Sequence, residues 1–379
     1  MSWIDWFIVI FINAFIVGYG LMLARGTGTT KEWFLAARGL PWWVIGLSAF
    51  ATAADSGDYV VVAGSSYIFG ISSLTQWWLG LTLGWFLVSY FIYIPMYRTG
   101  MFTNAEWLEH RYGPSIRVFS VFIQVQHRTN VLGNIAWSLF LTIHIVGGLE
   151  ESWSWCGVIL IAIIAAWYSS RGGLRSVAIT DVLQYVTMAI ASFVLWFVVW
   201  QALGGWSGME ERLAAQNRLW MLHTGGYERA GVPAILVVYG WIVLLNAYSI
   251  VNHSQCMRFL GGRSEWDMKM GALIAGIATA LVMWFNVTLG VLGRAYFPDL
   301  EVVDNVFPLL AKNFLAPGLI GLVVAGILGA GMSTYDSISN AMAALFTRDI
   351  YARFLKKNIN CEWMNREVVN RSGKSLKFF

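Results

Sequence analysis

Charge is what this sequence has least of. Asp, Glu, Lys and Arg together make up 12% of its 379 residues, about half the charged fraction of a soluble globular chain. That shortage excludes a water-soluble domain. Cysteine is scarcer still: Cys156, Cys256 and Cys361 are too few and too scattered for a disulfide framework or a zinc site. The five histidines, His110, His127, His144, His223 and His253, are dispersed, with no pair at metal-ligand spacing. No convergent catalytic set accompanies them, so the chain does not read as an enzyme. The net charge of +4 is spread over many loops, which argues against nucleic acid as a partner. No polar linker divides the chain, so it reads as one membrane domain.

Apolar sequence fills the space that charge leaves. Hydrophobic residues make up 58% of the chain, and the mean hydropathy is +0.60. The 21 Trp, 23 Phe and 15 Tyr often sit at the ends of apolar runs, where amphipathic rings favour the membrane–water boundary. A helical bilayer crossing takes about 20 apolar residues. Nine stretches qualify as spans one to nine, in chain order: 3–24, 41–68, 73–97, 115–147, 153–170, 174–201, 232–257, 268–296 and 316–345. They predict an all-α, multi-pass bundle whose solvent partner is the lipid bilayer of a cell membrane. Met1 to Asp5 hold no Lys or Arg, and Arg25 follows the first apolar run. That polarity is wrong for a cleaved signal and right for a helix that starts outside.

The basic residues assign the loops to sides. Arg25, Lys31, Arg38, Arg98, Arg111, Arg117, Arg171, Arg175, Arg258, Arg263, Lys269 and the eight Lys or Arg after span nine fall on one side. Arg212, Arg218, Arg229, Arg294 and Lys312 fall on the other, with Arg128 inside span four, which gives 19 against 5. The majority side is expected to be cytoplasmic, placing the N-terminus outside and the C-terminus inside.

Polar residues in mid-membrane mark function, since a charge there costs about 3 kcal/mol even on the lenient insertion scale. Span two carries Asp55-Ser56-Gly57-Asp58-Tyr59. One reading makes this a loop before a later helix. The other, favoured by the helix start at Pro41-Trp42-Trp43 and the apolar pattern resuming at Val60, is a helix broken near Ser56-Gly57, whose freed carbonyls suit a cation. Span seven crowds Asn246, Tyr248, Ser249, Asn252, His253 and Gln255 into its second half. A polar helix end reaching the cytoplasm covers Asn252 onward and covers Asn246 and Tyr248 less well. Span nine carries Gly329-Ala-Gly-Met-Ser333-Thr334-Tyr-Asp336-Ser337. A small-residue packing seam explains the glycines. Two adjacent hydroxyls followed by an acid exceed what packing needs, and oxygen donors suit a hard cation. Arg128 is open to three readings: an anion contact, a salt bridge within the bundle, or a misplaced span.

Three segments carry a family resemblance. Thr99 to Gly113, TGMFTNAEWLEHRYG, resembles the cytoplasmic segment after the third helix of the sodium:solute symporter family. Gly172 to Gln184, GGLRSVAITDVLQ, resembles the start of its sixth. Gly329 to Tyr351, with Met332-Ser333-Thr334 and Thr347-Arg348-Asp349-Ile350-Tyr351, is similar to its sodium-site helix. Their order and spacing hold to about Lys357.

The resemblance implies a LeuT-type fold, two five-helix repeats of opposite orientation after one extra N-terminal helix. Each repeat opens with a broken helix, here spans two and seven. Family members continue for several more helices, so residues 1–357 are expected to hold an incomplete second repeat, spans seven to nine, followed by a polar tail over 358–379. The implied coupling ion is Na+, with backbone carbonyls from Thr52, Asp55 and Ala330, side-chain oxygens from Ser333 and Thr334, and Asp181 near the inner sodium path. Asp55 stands where an apolar or amide residue is expected, which adds its carboxylate as a further donor. The implied solute contacts are Asp58, Tyr59, Gln76, Asn246 and Tyr248. The expectation is a sodium-coupled symporter of a small polar organic solute. The alternative is a non-transporting sensor or partner subunit built on the same membrane module.

Overall fold

The structure, a computed structural model, describes residues 1–24, 30–215 and 241–355. Twelve helices position the site: α1 Trp3–Leu23, α2 Trp42–Ala53, α3 Ser56–Phe69, α4 Trp77–Thr99, α5 Asn104–Tyr112, α6 Pro114–Val146, α7 Glu151–Ala202, α8 Trp241–Val251, α9 His253–Leu260, α10 Glu265–Tyr296, α11 Val306–Phe314 and α12 Leu319–Ala344. Among the described residues, six helices are long and apolar enough to cross a membrane. The span count rises from six because α7 holds two crossings. Its 52 residues would reach about 78 Å as one straight rod, more than twice a bilayer core of about 30 Å. Gly173 turns the chain instead, at φ 57° and ψ −172°. A Cβ there would lie 3.0 Å from the Trp33 backbone, so glycine serves both the left-handed φ and the close approach.

Spans two and seven are both broken. Span two becomes α2 and α3, and span seven becomes α8 and α9, with Asn252 (φ −71°, ψ 96°) between them. The start of α2 meets the end of α9, where Leu40 donates to the Gly261 carbonyl (3.0 Å) and accepts the Arg263 N–H (3.1 Å), as in the inverted pair that a LeuT-type fold requires. α7 and α12 form the largest helix–helix contact, followed by α10 on α2. There Gly46 lets the backbones meet: a Cβ on it would come within 2.7 Å of the Gly271 carbonyl oxygen. Helix α11 falls between spans eight and nine, because its nine residues are too few to register as a crossing.

The extra N-terminal helix docks through a carboxylate. Asp5, fully buried, accepts the backbone N–H groups of Gly318 (2.7 Å) and Gly321 (2.9 Å) and the Ser2 hydroxyl (2.6 Å). It thereby caps the N-terminus of α12, where free N–H groups and the helix dipole favour an anion.

At the opposite end, the segments TNAEWLEHRYG and TRDIY meet. Arg117, at the start of α6, is buried and donates to Asp349 and Glu109. Thr103 donates to Asp349 (2.9 Å), Arg348 to Glu106 (3.2 Å) and Arg353 to Glu109 (2.7 Å). Helix α12 continues past the expected boundary at 345 through residue 355 to reach this cluster. Among the described residues of the larger set, Arg98, Arg117, Arg348 and Arg353 gather at this end, with Arg98 paired to Glu265. Arg258 is the exception. It lies inside the bundle at 1% exposure, so 18 rather than 19 basic residues favour that side.

Candidate functional site

The first helix break is made by a pair of carboxylates. Asp55 is the N-cap of α3: its side chain accepts the N–H groups of Gly57 (2.7 Å) and Asp58 (3.3 Å). Asp58, three residues on, reaches back to accept the N–H of Asp55 at 2.9 Å, completing a capping box. This has a consequence one turn earlier. In a continuous helix the Asp55 N–H would bond to the carbonyl of Ala51, four residues before it. Asp58 takes that N–H, and the last i to i−4 bond of α2 is Ala54 to Phe50 (2.8 Å). The Ala51 carbonyl is left to find another partner.

That partner is on α12. The Ser333 hydroxyl lies 2.8 Å from the Ala51 carbonyl oxygen and 2.8 Å from that of Ala330, and Thr334 Oγ1 lies 3.3 Å from Ala330. A hydroxyl has one proton, so Ser333 satisfies only one of its two carbonyls at a time. Thr334 serves Ala330 when Ser333 turns to Ala51, so Ala51, Ala330, Ser333 and Thr334 bring four neutral oxygens together in a buried place. A hard monovalent cation fits this set, because it is bound by oxygen lone pairs and needs no protons from the protein.

Ala51, absent from the expected set, supplies a carbonyl facing Ser333. Adjacent helical residues point about 100° apart, and the Thr52 hydroxyl is directed to Ser337 (3.2 Å) and Asp181 (3.5 Å). The Asp55 carboxylate is committed to its cap, and its carbonyl accepts the Asp58 N–H at 3.1 Å.

Asp181, on α7 and fully buried, belongs to a neighbouring cluster. Its Oδ2 accepts Ser48 Oγ (2.6 Å) and Arg258 Nη2 (2.7 Å). Arg258 also donates to Ser48 (2.6 Å), to the Ser254 carbonyl (2.6 Å) and to Ser337. Ending span seven at 257 places Arg258 in a loop, which the structure corrects. Phe259 and Leu260, both fully buried, are the signal that the span continues.

Three of the expected solute contacts lie on the helices that flank the breaks. Asp58 is half-buried at the start of α3. On α8, Asn246 donates to the Gly80 carbonyl of α4 at 3.3 Å. Tyr248, half-buried on the same helix, accepts Arg128 Nη1 at 3.4 Å, and that guanidinium sits 5.3 Å from the Tyr248 ring centre. Arg128 is therefore inside its span, buried, and makes no ion pair among the described residues. It joins Tyr248. Tyr59 is fully buried with its ring edge-on to Phe307 at 6.0 Å, one residue round the helix from Asp58. The Gln76 side chain lies outside the described residues.

The model of the sodium:solute symporter family matches residues 33–371. The chain is 28% identical to human sodium/glucose cotransporter 4, over 96% of this chain and 57% of that protein. It is 26% identical to rabbit sodium/glucose cotransporter 1, over 94% and 59%, and 26% identical to the sodium/glucose cotransporter of Vibrio parahaemolyticus, over 94% and 70%. The chain thus spans less than two thirds of the human and rabbit relatives. Among solved structures, the substrate-bound outward-open state of a Na+-coupled sialic acid symporter superposes with a TM-score of 0.84 at 19% identity, covering 94% of this chain and 76% of that one.

Proposed function

We propose that this chain, which belongs to the sodium:solute symporter family, forms the sodium-binding core of a secondary active transporter for a small polar organic solute. The observation that carries the proposal is the oxygen cluster of Ala51, Ala330, Ser333 and Thr334. It sits where a broken helix faces an unbroken one, so an ion held there links α2 to α12. Sodium entering down its gradient would replace the Ser333 hydrogen bond by direct contacts to all four oxygens. That exchange draws the inner half of the first broken helix onto α12.

The solute is expected beside the breaks. There Asp58, Arg128, Asn246 and Tyr248 offer a carboxylate, a guanidinium, an amide and a phenol. Those groups recognise hydroxyls, amides and carboxylates and give an apolar molecule no reason to bind. Coupling follows from geometry, because α3 carries Asp58 and its capping box is what frees Ala51 for the ion. A solute that pulls on Asp58 therefore acts on the sodium site through one hydrogen bond. We also infer that the basic end of the bundle is cytoplasmic, from 18 basic residues against 5.

A thermal-shift screen of the purified chain against sugars, amino acids, carboxylates and nucleobases, in sodium and in choline, tests the proposal. The expected result is at least one solute that stabilises the protein in sodium alone. Equal stabilisation in both salts would show that binding is uncoupled and remove the symport reading.

A further inference from the structure

Arg258 is the buried cation that the sodium reading does not use. Every one of its guanidinium nitrogens is engaged: Nε with Ser48 (2.6 Å) and Asp181 (3.3 Å), Nη1 with the Ser254 carbonyl (2.6 Å), and Nη2 with Asp181 (2.7 Å) and Ser337. One side chain of α9 thereby holds α2, α7 and α12 together. Its position is specific. Ser48 is one turn before Thr52 on α2, and Ser337 is one turn after Ser333 on α12, so both hydroxyls lie toward the basic end. The guanidinium sits between these two helices about 6 Å, one helical turn, beyond the Ala51–Ser333 contact.

We propose that Arg258 is a tethered cation that closes the basic end of the central pathway, clamping α2 to α12 through Ser48 and Ser337 while Asp181 holds it in place, until it is displaced. The inference rests on reading Ala51, Ala330, Ser333 and Thr334 as the sodium site. An ion leaving that site toward the basic end passes between α2 and α12, and Arg258 fills this gap. Its fixed positive charge also repels a cation approaching within one turn, in surroundings where water screens little. A buried ion pair is a poor source of stability, since desolvation offsets most of its attraction. A switching role gives a reason to keep one that pure packing does not. Arg258 joins the second broken helix to the first through Ser48, with Asp181 as its counter-ion, so releasing it frees both at once.

Cysteine accessibility tests the closure without requiring transport. In a background of Cys156→Ser, Cys256→Ala and Cys361→Ser, Ala341→Cys places a thiol on α12 one turn past Ser337, at a position 2% exposed. A small methanethiosulfonate reagent then reports whether the basic end is open. The parent is expected to react slowly. Arg258→Gln, and the double variant Asp181→Asn/Arg258→Gln, are expected to react at least ten times faster. The double variant leaves no unpaired buried charge and so covers the case in which Arg258→Gln does not fold. Arg258→Lys keeps the charge without the three-way reach and should fall between.

A double variant that is monodisperse, melts with the parent and reacts at the parent's rate overturns the proposal. The same samples separate it from the sodium reading. If sodium slows the parent reaction while the Arg258 variants match the parent, the closure fails and the sodium site stands. If the variants open but sodium has no effect on any sample, the closure stands and the sodium site fails.

Discussion

Replacing Thr334 by valine isolates sodium binding from folding better than any other change at the site. The variant keeps the branched shape and loses one oxygen. Thr334 Oγ1 makes only a long bond within its own helix, 3.3 Å to Ala330, so little is lost in the absence of sodium. Ser333→Ala differs, because the Ser333 hydroxyl bridges α12 to the Ala51 carbonyl. Removing it leaves a buried acceptor short of a donor, at about 1–3 kcal/mol with or without the ion. Losing one of four neutral oxygens is expected to weaken sodium binding about tenfold, or about 1.4 kcal/mol. At a sodium concentration 100 times the parent's Kd, ligand stabilisation is about 2.7 kcal/mol, and a tenfold weaker site retains about 1.4 kcal/mol. The assay is a sodium titration of thermal stability in detergent, with choline holding ionic strength constant. Thr334→Val should start at the parent's sodium-free Tm and need about ten times more sodium to reach the same shift. Thr334→Ser should follow the parent. A Thr334→Val titration that superimposes on the parent's refutes the assignment of Thr334 and the reasoning built on it.

Four further outcomes are expected. Asp58→Ala releases the Asp55 N–H to return to the Ala51 carbonyl, so sodium titration should show severalfold weaker binding, while Asp58→Asn, which keeps an acceptor, should bind within about twofold of the parent; equal sodium affinity in both variants would remove the link between capping box and ion. Asp349→Ala deprives buried Arg117 of its fully buried partner and should cost about 3 kcal/mol of stability, whereas Arg98→Ala, with its side chain 65% exposed, should leave the melting temperature unchanged. Burial works against the Glu109 charge, but hydrogen bonds from Arg117 and Arg353 outweigh it and hold this carboxyl below its ordinary range; its contribution is full above the unfolded value of about 4.3 and is lost as pH falls through the lower folded value, so Glu109→Gln should flatten the stability curve below about pH 4.3. In intact cells a membrane-impermeant maleimide should label Glu150→Cys and spare Tyr112→Cys, which sits at the basic end with 62% exposure, and the reverse pattern would invert the topology.

The spans were legible because apolar length reports burial in lipid directly, and their boundaries hold to within a few residues from α1 to α10 wherever they fall on described residues; the expected start of span seven at 232 lies outside them. The breaks were legible for a related reason: Asp55, Asp58, Asn246 and Asn252 are polar where lipid tolerates no loose polarity. What hydropathy does not carry is phase. Thr52 and Ala51 are neighbours in sequence and face different clusters, and only the packed helices reveal which carbonyl Ser333 reaches. The capping box was readable in principle, since Asp55 and Asp58 stand at N-cap and N3 spacing. Expecting a mid-membrane acid to meet an ion concealed its simpler local task. Arg258 is hidden from a hydropathy scan because a charge normally ends a span. A guanidinium can instead be buried when it finds enough acceptors, and Ser48, Asp181, Ser254 and Ser337 come from four separate segments of the chain. Asp5 shows the same limit. Its partners, Gly318 and Gly321, lie more than 300 residues away, and no local pattern announces them.

The central claim is that Ala51, Ala330, Ser333 and Thr334 hold one sodium ion between α2 and α12. Equilibrium binding of radioactive 22Na+ to the purified chain tests it most directly. The account expects saturable binding that unlabelled sodium displaces and choline does not, and that disappears in the Ser333→Ala/Thr334→Val double variant while the protein stays folded. Saturable sodium binding that survives in that variant would contradict it.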